Sequence, residues 1–388
     1  EEYYEKGLEV LTEYLYHYPD DFMLVERAIF HRAAHHLMEA REDFEKALYI
    51  NHVNPYALNG LSFTYKYQGE YEQALVCLKK TILYMDKEMS PVVYADMGNL
   101  YALLGDADMA YQAYRQYEEL AGENKSNWYG DNLAEFAMRA GRVGEAASIY
   151  ERFYENNIWT RYEKLVNLYL AAGEKEKAAG VLKQWRREMG GGFRESFLDF
   201  LKSGSTAVKG KRRTVSYPAY YCCKGWWELL FGGKRGAVRA FDQMFRNGLT
   251  EKTMEGKICD AVFACILCGN EEKGKKYAAK LTEWLKKEST VGRRKYYNRQ
   301  KGHLQMEFLA AYYTESIERL QELLDTEEKC EICHFCTSPL CKELEGARIL
   351  LLLRAGKREE AAERLERNLL TQPWDEYMLA IGHTVFGA

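Results

Sequence analysis

Proline is scarce in this chain: six residues in 388, widely scattered. A loop-rich β-sandwich would draw more proline into its turns, so the shortage favours helices. Long apolar runs are missing too. None approaches the ~18–20 residues a membrane-spanning helix needs, and no secretory leader is visible, so no membrane partner is expected. The ten cysteines lack the pattern of a small secreted domain, and several fall inside apolar helical runs, which points to the reducing cytoplasm. No phosphate-binding glycine loop, dinucleotide fingerprint, GxSxG elbow or kinase signature occurs. Gly190-Gly191-Gly192 lacks the Lys-Ser/Thr of a phosphate loop. Carboxylates abound, but nothing marks a catalytic pair, and the chain reads as a non-enzyme.

Tyrosine, by contrast, is plentiful at thirty residues. Amphipathic rings of this kind suit the wedges between packed helices, and equally a recognition groove. The formal net charge of −4 hides an asymmetry. Residues 1–200 sum to about −11, residues 201–388 to about +7, and the stretch 201–301 alone to about +14. Solvated helix faces explain such a bias; an acidic partner is the alternative.

Self-similarity organises the first half. Turn residues recur at His35, Gly69, Gly105, Gly141 and Gly173. Five positions after each stands an alanine: Ala40, Ala74, Ala110, Ala146 and Ala178. Four positions later stands a large residue: Phe44, Leu78, Tyr114, Tyr150 and Leu182. Glycine ends a helix because it takes positive φ cheaply. The alanine lets a second helix approach the first, and the large residues fill the space between them. A lone helical hairpin cannot bury both faces, so stability comes from stacking.

The segment Pro91–Leu120, with Tyr94, Gly98 and Tyr101 on one helix and Ala110, Tyr114 and Tyr117 on the next, closely resembles a tetratricopeptide repeat. Five in-phase units cover residues 21–186. The resemblance implies an all-α fold, an α-solenoid of stacked antiparallel hairpins in a right-handed superhelix, whose concave groove holds a protein or peptide segment. Residues 1–20 fit as half a repeat, with Gly7, Leu11, Tyr14 and Pro19 in second-helix positions. The expectation is therefore a larger parent protein, of bacterial type, extended at the N-terminus.

The expected organisation has three parts. Residues 1–187 form the well-phased array. Residues 188–216, with a glycine-rich break at Met189–Gly192 and a basic loop at Ser203–Ser216, form an irregular connection. Residues 217–388 form divergent hairpins closed by an apolar capping helix near Trp374–Phe386.

In carboxylate-clamp members of the family, inner helices grip a peptide's C-terminal carboxylate through paired Lys and Asn residues. The resemblance places Asn99, Asn132 and Lys164 at three of five such positions, with Ala95 and Thr160 at the other two. That departure weighs against terminal-carboxylate recognition and leaves the Asn amides as general peptide-backbone ligands.

Three further clusters bear on chemistry. Cys330, Cys333, Cys336 and Cys341, with His334 among them, put four thiols within a short turn. They suit a structural zinc ion or, alternatively, remain free thiols; an iron–sulfur reading fails on spacing and on the missing proline. Cys222, Cys223, Cys259, Cys265 and Cys268 lie among apolar residues and read as core. His31, His35, His36 and Glu39 share a helix, and structural packing accounts for them better than a metal. Finally, Arg212, Arg213, Arg293, Arg294 and Arg299, with Tyr296 and Tyr297 between them, offer a nucleic-acid surface as an alternative, although no reading motif accompanies them. The main functional expectation is a peptide-binding scaffold or sensor module; the others are a nucleic-acid-responsive module and a regulatory sensor of an upstream effector domain.

Overall fold

The structure, a computed structural model, describes residues 2–34, 36–85, 90–121, 127–203, 210–246, 255–290, 301–329 and 341–387. Every regular element among them is helical. They form two compact units, one within residues 1–140 and one within residues 141–388.

In the first unit, α1 (Glu2–His17) precedes three hairpins and a further helix. The hairpins are α2 (Asp21–Ala33) with α3 (Leu37–Ile50), α4 (Pro55–Tyr67) with α5 (Tyr71–Tyr84), and α6 (Ser90–Leu103) with α7 (Ala107–Ala121); α8 (Asn127–Arg139) follows. The chain marks its own boundaries. The Asp20 side chain accepts from the Met23 amide at the start of α2. Asn54 accepts from the Tyr56 and Ala57 amides, with Pro55 in the first helical position of α4. Gly69 and Gly105 end α4 and α6 at φ of 80° and 83°, a left-handed turn that would strain any β-carbon.

The repeat register survives in the packing. Ala40, Ala74 and Ala110 are completely buried, as are Phe44, Leu78 and Tyr114. Gly98 on α6 shows why the first helix carries a glycine: an added β-carbon would lie 2.3 Å from the Tyr114 ring of α7. That close approach is where the hairpin gains its contact area, at about 1.5–3 kcal/mol per large side chain buried.

The second unit begins with α9 (Val143–Phe153). Hairpins follow: α10 (Ile158–Ala171) with α11 (Lys175–Ser203), α12 (Gly210–Phe231) with α13 (Lys234–Arg246), α14 (Glu255–Leu267) with α15 (Glu271–Thr290), α16 (Lys301–Ala311) with α17 (Ile317–Leu324), and α18 (Lys342–Arg354) with α19 (Arg358–Thr371). A 3-10 turn, Asp325–Lys329, extends α17, and α20 (Glu376–Ile381) runs into a π-helical turn at Gly382–Phe386. The Gly98–Tyr114 interlock recurs sixteen residues apart in this divergent half, where a β-carbon on Gly225 would lie 2.5 Å from Phe241. The repeat geometry has outlived the repeat sequence.

Two features differ from the sequence reading. The backbone stays helical through Met189–Gly192, where a break is expected, and α11 continues to Ser203. Each glycine costs about 1 kcal/mol in a helix relative to alanine, which weakens the helix without forbidding it. The basic stretch is also partly helical, since α12 starts at Gly210, while residues 204–209 lie outside the described residues. Each unit is thus a stack of antiparallel hairpins, an all-α solenoid architecture.

Candidate functional site

In a curved stack, the helices that touch from hairpin to hairpin line the inner side. Here the first helices do so: α2 packs on α4 in the first unit, and α10 on α12, α12 on α14 and α14 on α16 in the second. The two inner faces are furnished very differently.

In the first unit the inner face is polar. Residues three or four apart share one helix face, which aligns Asn59, Ser62 and Lys66 on α4, Asp96 and Asn99 on α6, and Asn132 and Glu135 on α8. Tyr114, from α7, ties these rows together. Its hydroxyl donates to Asn99 Oδ1 at 2.9 Å and accepts from Asn132 Nδ2 at 2.8 Å. Tyr129 stacks on the Tyr114 ring at 5.6 Å and donates its hydroxyl to the Tyr114 carbonyl at 2.6 Å. Burial pushes the Tyr114 phenol far above its ordinary range, so it remains a neutral donor. Asp96 is pushed up to about 6 by burial, against the opposing pull of the Lys66 ammonium. Asn59 Oδ1 is buried without a hydrogen-bond partner among the described residues. Unpaired buried amide oxygens are rare because each forfeits its hydration.

Of the three groove residues named from sequence, the structure joins Asn99 and Asn132 through one hydroxyl. Asn99 is buried and Asn132 half-buried. Lys164 is half-buried on α10 in the second unit. Lys66 and Asp96 escaped the sequence reading. A charged pair of positions on neighbouring first helices was the available signal, but these positions carry no family signature.

In the second unit the chain's own last helix packs onto α12. Helix α20 packs against α12, α18 and α19. Its Tyr377 ring meets Trp226 at 5.1 Å and Phe263 at 4.7 Å. The Tyr377 hydroxyl donates to Asp260 Oδ1 at 2.9 Å, and Cys222 Sγ donates to Asp260 Oδ2 at 3.3 Å. Burial raises the Asp260 carboxyl above its usual range. Beside it, Lys257 on α14 donates to Glu163 on α10 at 2.8 Å. His383 Nδ1 lies 2.8 Å from the Leu229 carbonyl. These groups satisfy one another and hold the last helix in place.

Among the described residues no group of three His, Cys, Asp or Glu is arranged to hold a metal ion. Cys330, Cys333 and Cys336 lie outside the described residues, and Cys341 precedes α18 with its thiol donating to Glu343 at 3.4 Å. Cys222, Cys223, Cys259 and Cys265 are buried. Burial pushes the Cys265 thiol up to about 12 and the half-buried Cys268 up to about 11, which keeps these two thiols protonated at neutral pH. His31 is half-buried with Asp43 3.9 Å away, but the Arg27 guanidinium already holds that carboxylate at 2.6 and 2.7 Å; His35 is outside the described residues. Arg212 and Arg213 fall in the first turn of α12, whereas Arg293, Arg294 and Arg299 lie outside the described residues. No helix among the described residues is long and apolar enough to cross a membrane.

The left-handed glycine turns, buried register alanines and stacked hairpins define a tetratricopeptide-like fold. No family model and no curated protein matches the chain. Solved structures do resemble it in fold. One is YrrB, described as a TPR protein with an unusual peptide-binding site, at 18% identity and a TM-score of 0.40 over 45% of this chain and 90% of that one. A second is a tetratricopeptide repeat protein from Parabacteroides merdae, at 18% identity and 0.40 over 66% and 90%. A third is the C-terminal part of a TPR repeat-containing protein from Cytophaga hutchinsonii, at 12% identity and 0.45 over 65% and 94%.

Proposed function

We propose that the chain is a protein-interaction module whose first unit holds a peptide segment of a partner protein along its polar inner face. The observation that supports this is the row of amides and charges on α4, α6 and α8. Asn59 carries a buried amide oxygen with no hydrogen-bond partner among the described residues, and Asn99 and Asn132 are fixed in place by the Tyr114 hydroxyl. An amide carries both donor and acceptor and so matches a peptide backbone irrespective of side chains. Lys66 and Asp96 add charge of both signs. The second unit supports the same reading by contrast, because α20 already packs on α12 there.

Peptides selected by display on the whole chain test this reading. Asn59→Ala and Asn132→Ala each remove an amide from the row, and either is expected to weaken the selected peptides roughly tenfold, as truncation of a central contact does. Unchanged affinity in both variants, with unchanged circular dichroism, would overturn it.

A further inference from the structure

Residues 1–140 contain five arginines: Arg27, Arg32, Arg41, Arg115 and Arg139. Four have a carboxylate of their own. Arg27 donates to Asp43 at 2.6 and 2.7 Å, and Arg41 to Glu45 at 2.9 Å. Arg115 lies 4.0 Å from Glu118, and Arg139 is bonded to Glu135. Arg32, on α2, is the exception: among the described residues no carboxylate reaches it. Its guanidinium carbon lies 5.2 Å from the centre of the Phe63 ring on α4, and the titratable group that acts on it is the Tyr67 phenol.

The surroundings account for this. Helix α4 carries no Asp or Glu. On α2, Asp21 is held by Asn51 and Asn54 at 2.8 Å, and Glu26 stands six positions before Arg32, off its face of the helix. Arg32 is nonetheless half-buried. Burial lowers its pKa from the ordinary value, whereas the Glu45 hydrogen bond raises that of Arg41. Folds rarely take a cation out of water without giving it a partner, because the lost hydration is not returned.

The site lies on the inner face of the first unit. Phe63 follows Asn59 by four positions and precedes Lys66 by three, so the three share one face of α4. Stacking on the Phe63 ring fixes the plane of the guanidinium, whose N–H edge is a fork that fits a carboxylate through two parallel bonds. Lys66 already acts on the Asp96 carboxyl. One negative charge therefore matches the site better than the nearly double charge of a phosphate.

We propose that Arg32 is an acidic-residue subsite of this face: it binds the side-chain carboxylate of an Asp or Glu within the segment that the first unit holds. The inference rests on the peptide-binding reading above. It adds a side-chain preference, which the Asn amides, matched to peptide backbone, do not supply. Charge complementarity selects an acidic residue over a basic one.

The test displays random peptides joined to their carrier through the C-terminus, so that no free terminal carboxylate competes. They are selected on the full chain and on its Arg32→Gln and Arg32→Glu variants, with circular dichroism and urea midpoints verifying each fold. Removing an unpaired, desolvated charge strands no partner, so Arg32→Gln is expected to fold as the parent does. The parent should enrich Asp or Glu at one position of the selected peptides. Arg32→Gln should lose that enrichment, and Arg32→Glu should replace it with Lys or Arg. Changing the acidic residue of a selected peptide to its amide should weaken binding to the parent roughly tenfold or more and leave binding to Arg32→Gln unchanged, the coupling expected of two groups in contact. Peptides that lose affinity in Asn132→Ala yet show no acidic position, or whose acidic position is indifferent to Arg32→Gln, would overturn the subsite and leave the groove reading standing. A folded parent that selects no peptides, or peptides indifferent to both Asn59→Ala and Asn132→Ala, would overturn both.

Discussion

Asp96 is the residue at which the inner face of the first unit is most sensitive to pH. Burial raises its carboxyl to about 6, with Lys66 pulling the other way. The folded state therefore holds this proton more tightly than the unfolded chain does. Its contribution to stability is complete below the ordinary carboxylate range and is lost as pH rises through about 6. Asp96→Asn carries no such charge. In urea unfolding, the variant is expected to gain about 1–2 kcal/mol over the parent between pH 4 and pH 8, a gain held down by the partial solvent exposure of the carboxyl. A difference independent of pH would show that Asp96 is charged and compensated in the folded state. The alanines and large residues of the register were legible from sequence because each is set by its own hairpin. The charge state of Asp96 was not, because it depends first on burial in the folded stack and then on Lys66 one repeat away.

At the scale of the element, α20 separates what periodicity reveals from what it hides. The apolar run near Trp374–Phe386 marks a helix with one buried face, and Asp375 caps it by accepting from the Tyr377 and Met378 amides. Both facts are local. Its docking is not: Tyr377 reaches Asp260 across 117 residues and His383 reaches Leu229 across 154. A repeat pattern gives the hairpins but not the curvature that brings α12 and α14 around to meet the last helix. Lys257 and Glu163, 94 residues apart, escaped the sequence reading for the same reason. Tyr377→Phe deletes one donor to a buried carboxylate and nothing else of comparable size. It should lower the unfolding free energy of the second unit by about 0.5–1.5 kcal/mol, the net worth of one hydrogen bond, because Trp226 and Cys222 still donate to the carboxyl. Met378 is completely buried, and Met378→Ala should cost about 2–5 kcal/mol. Urea midpoints equal to the parent's for both variants would mean that α20 is dispensable to the packing.

At the scale of the whole molecule, the two units differ in how their cores are built. A linear stack gives each hairpin only its neighbours, so stability is a sum of local terms and its ends open first. The first unit is of this kind at its start: α1 contributes Leu15 to the core while Val10, Tyr14 and Tyr16 stand exposed. In the second unit, one continuous cluster runs from Tyr162 to Ile381 and includes α14, where Ile258, Ala261, Val262, Ala264 and Cys265 are sealed from solvent. The return of α20 onto α12 converts neighbour-only packing into closure, and closure couples hairpins distant in sequence. Hydrogen exchange followed by mass spectrometry should therefore rank α14 and α18 as the slowest elements and α1 as the fastest, with α4 and α6 between them. Tyr377→Phe should accelerate exchange in α12 and α14 together, while leaving α4 and α6 as they were. Uniform protection across the chain, or acceleration confined to α20, would show that the closing contact does not couple the hairpins it joins.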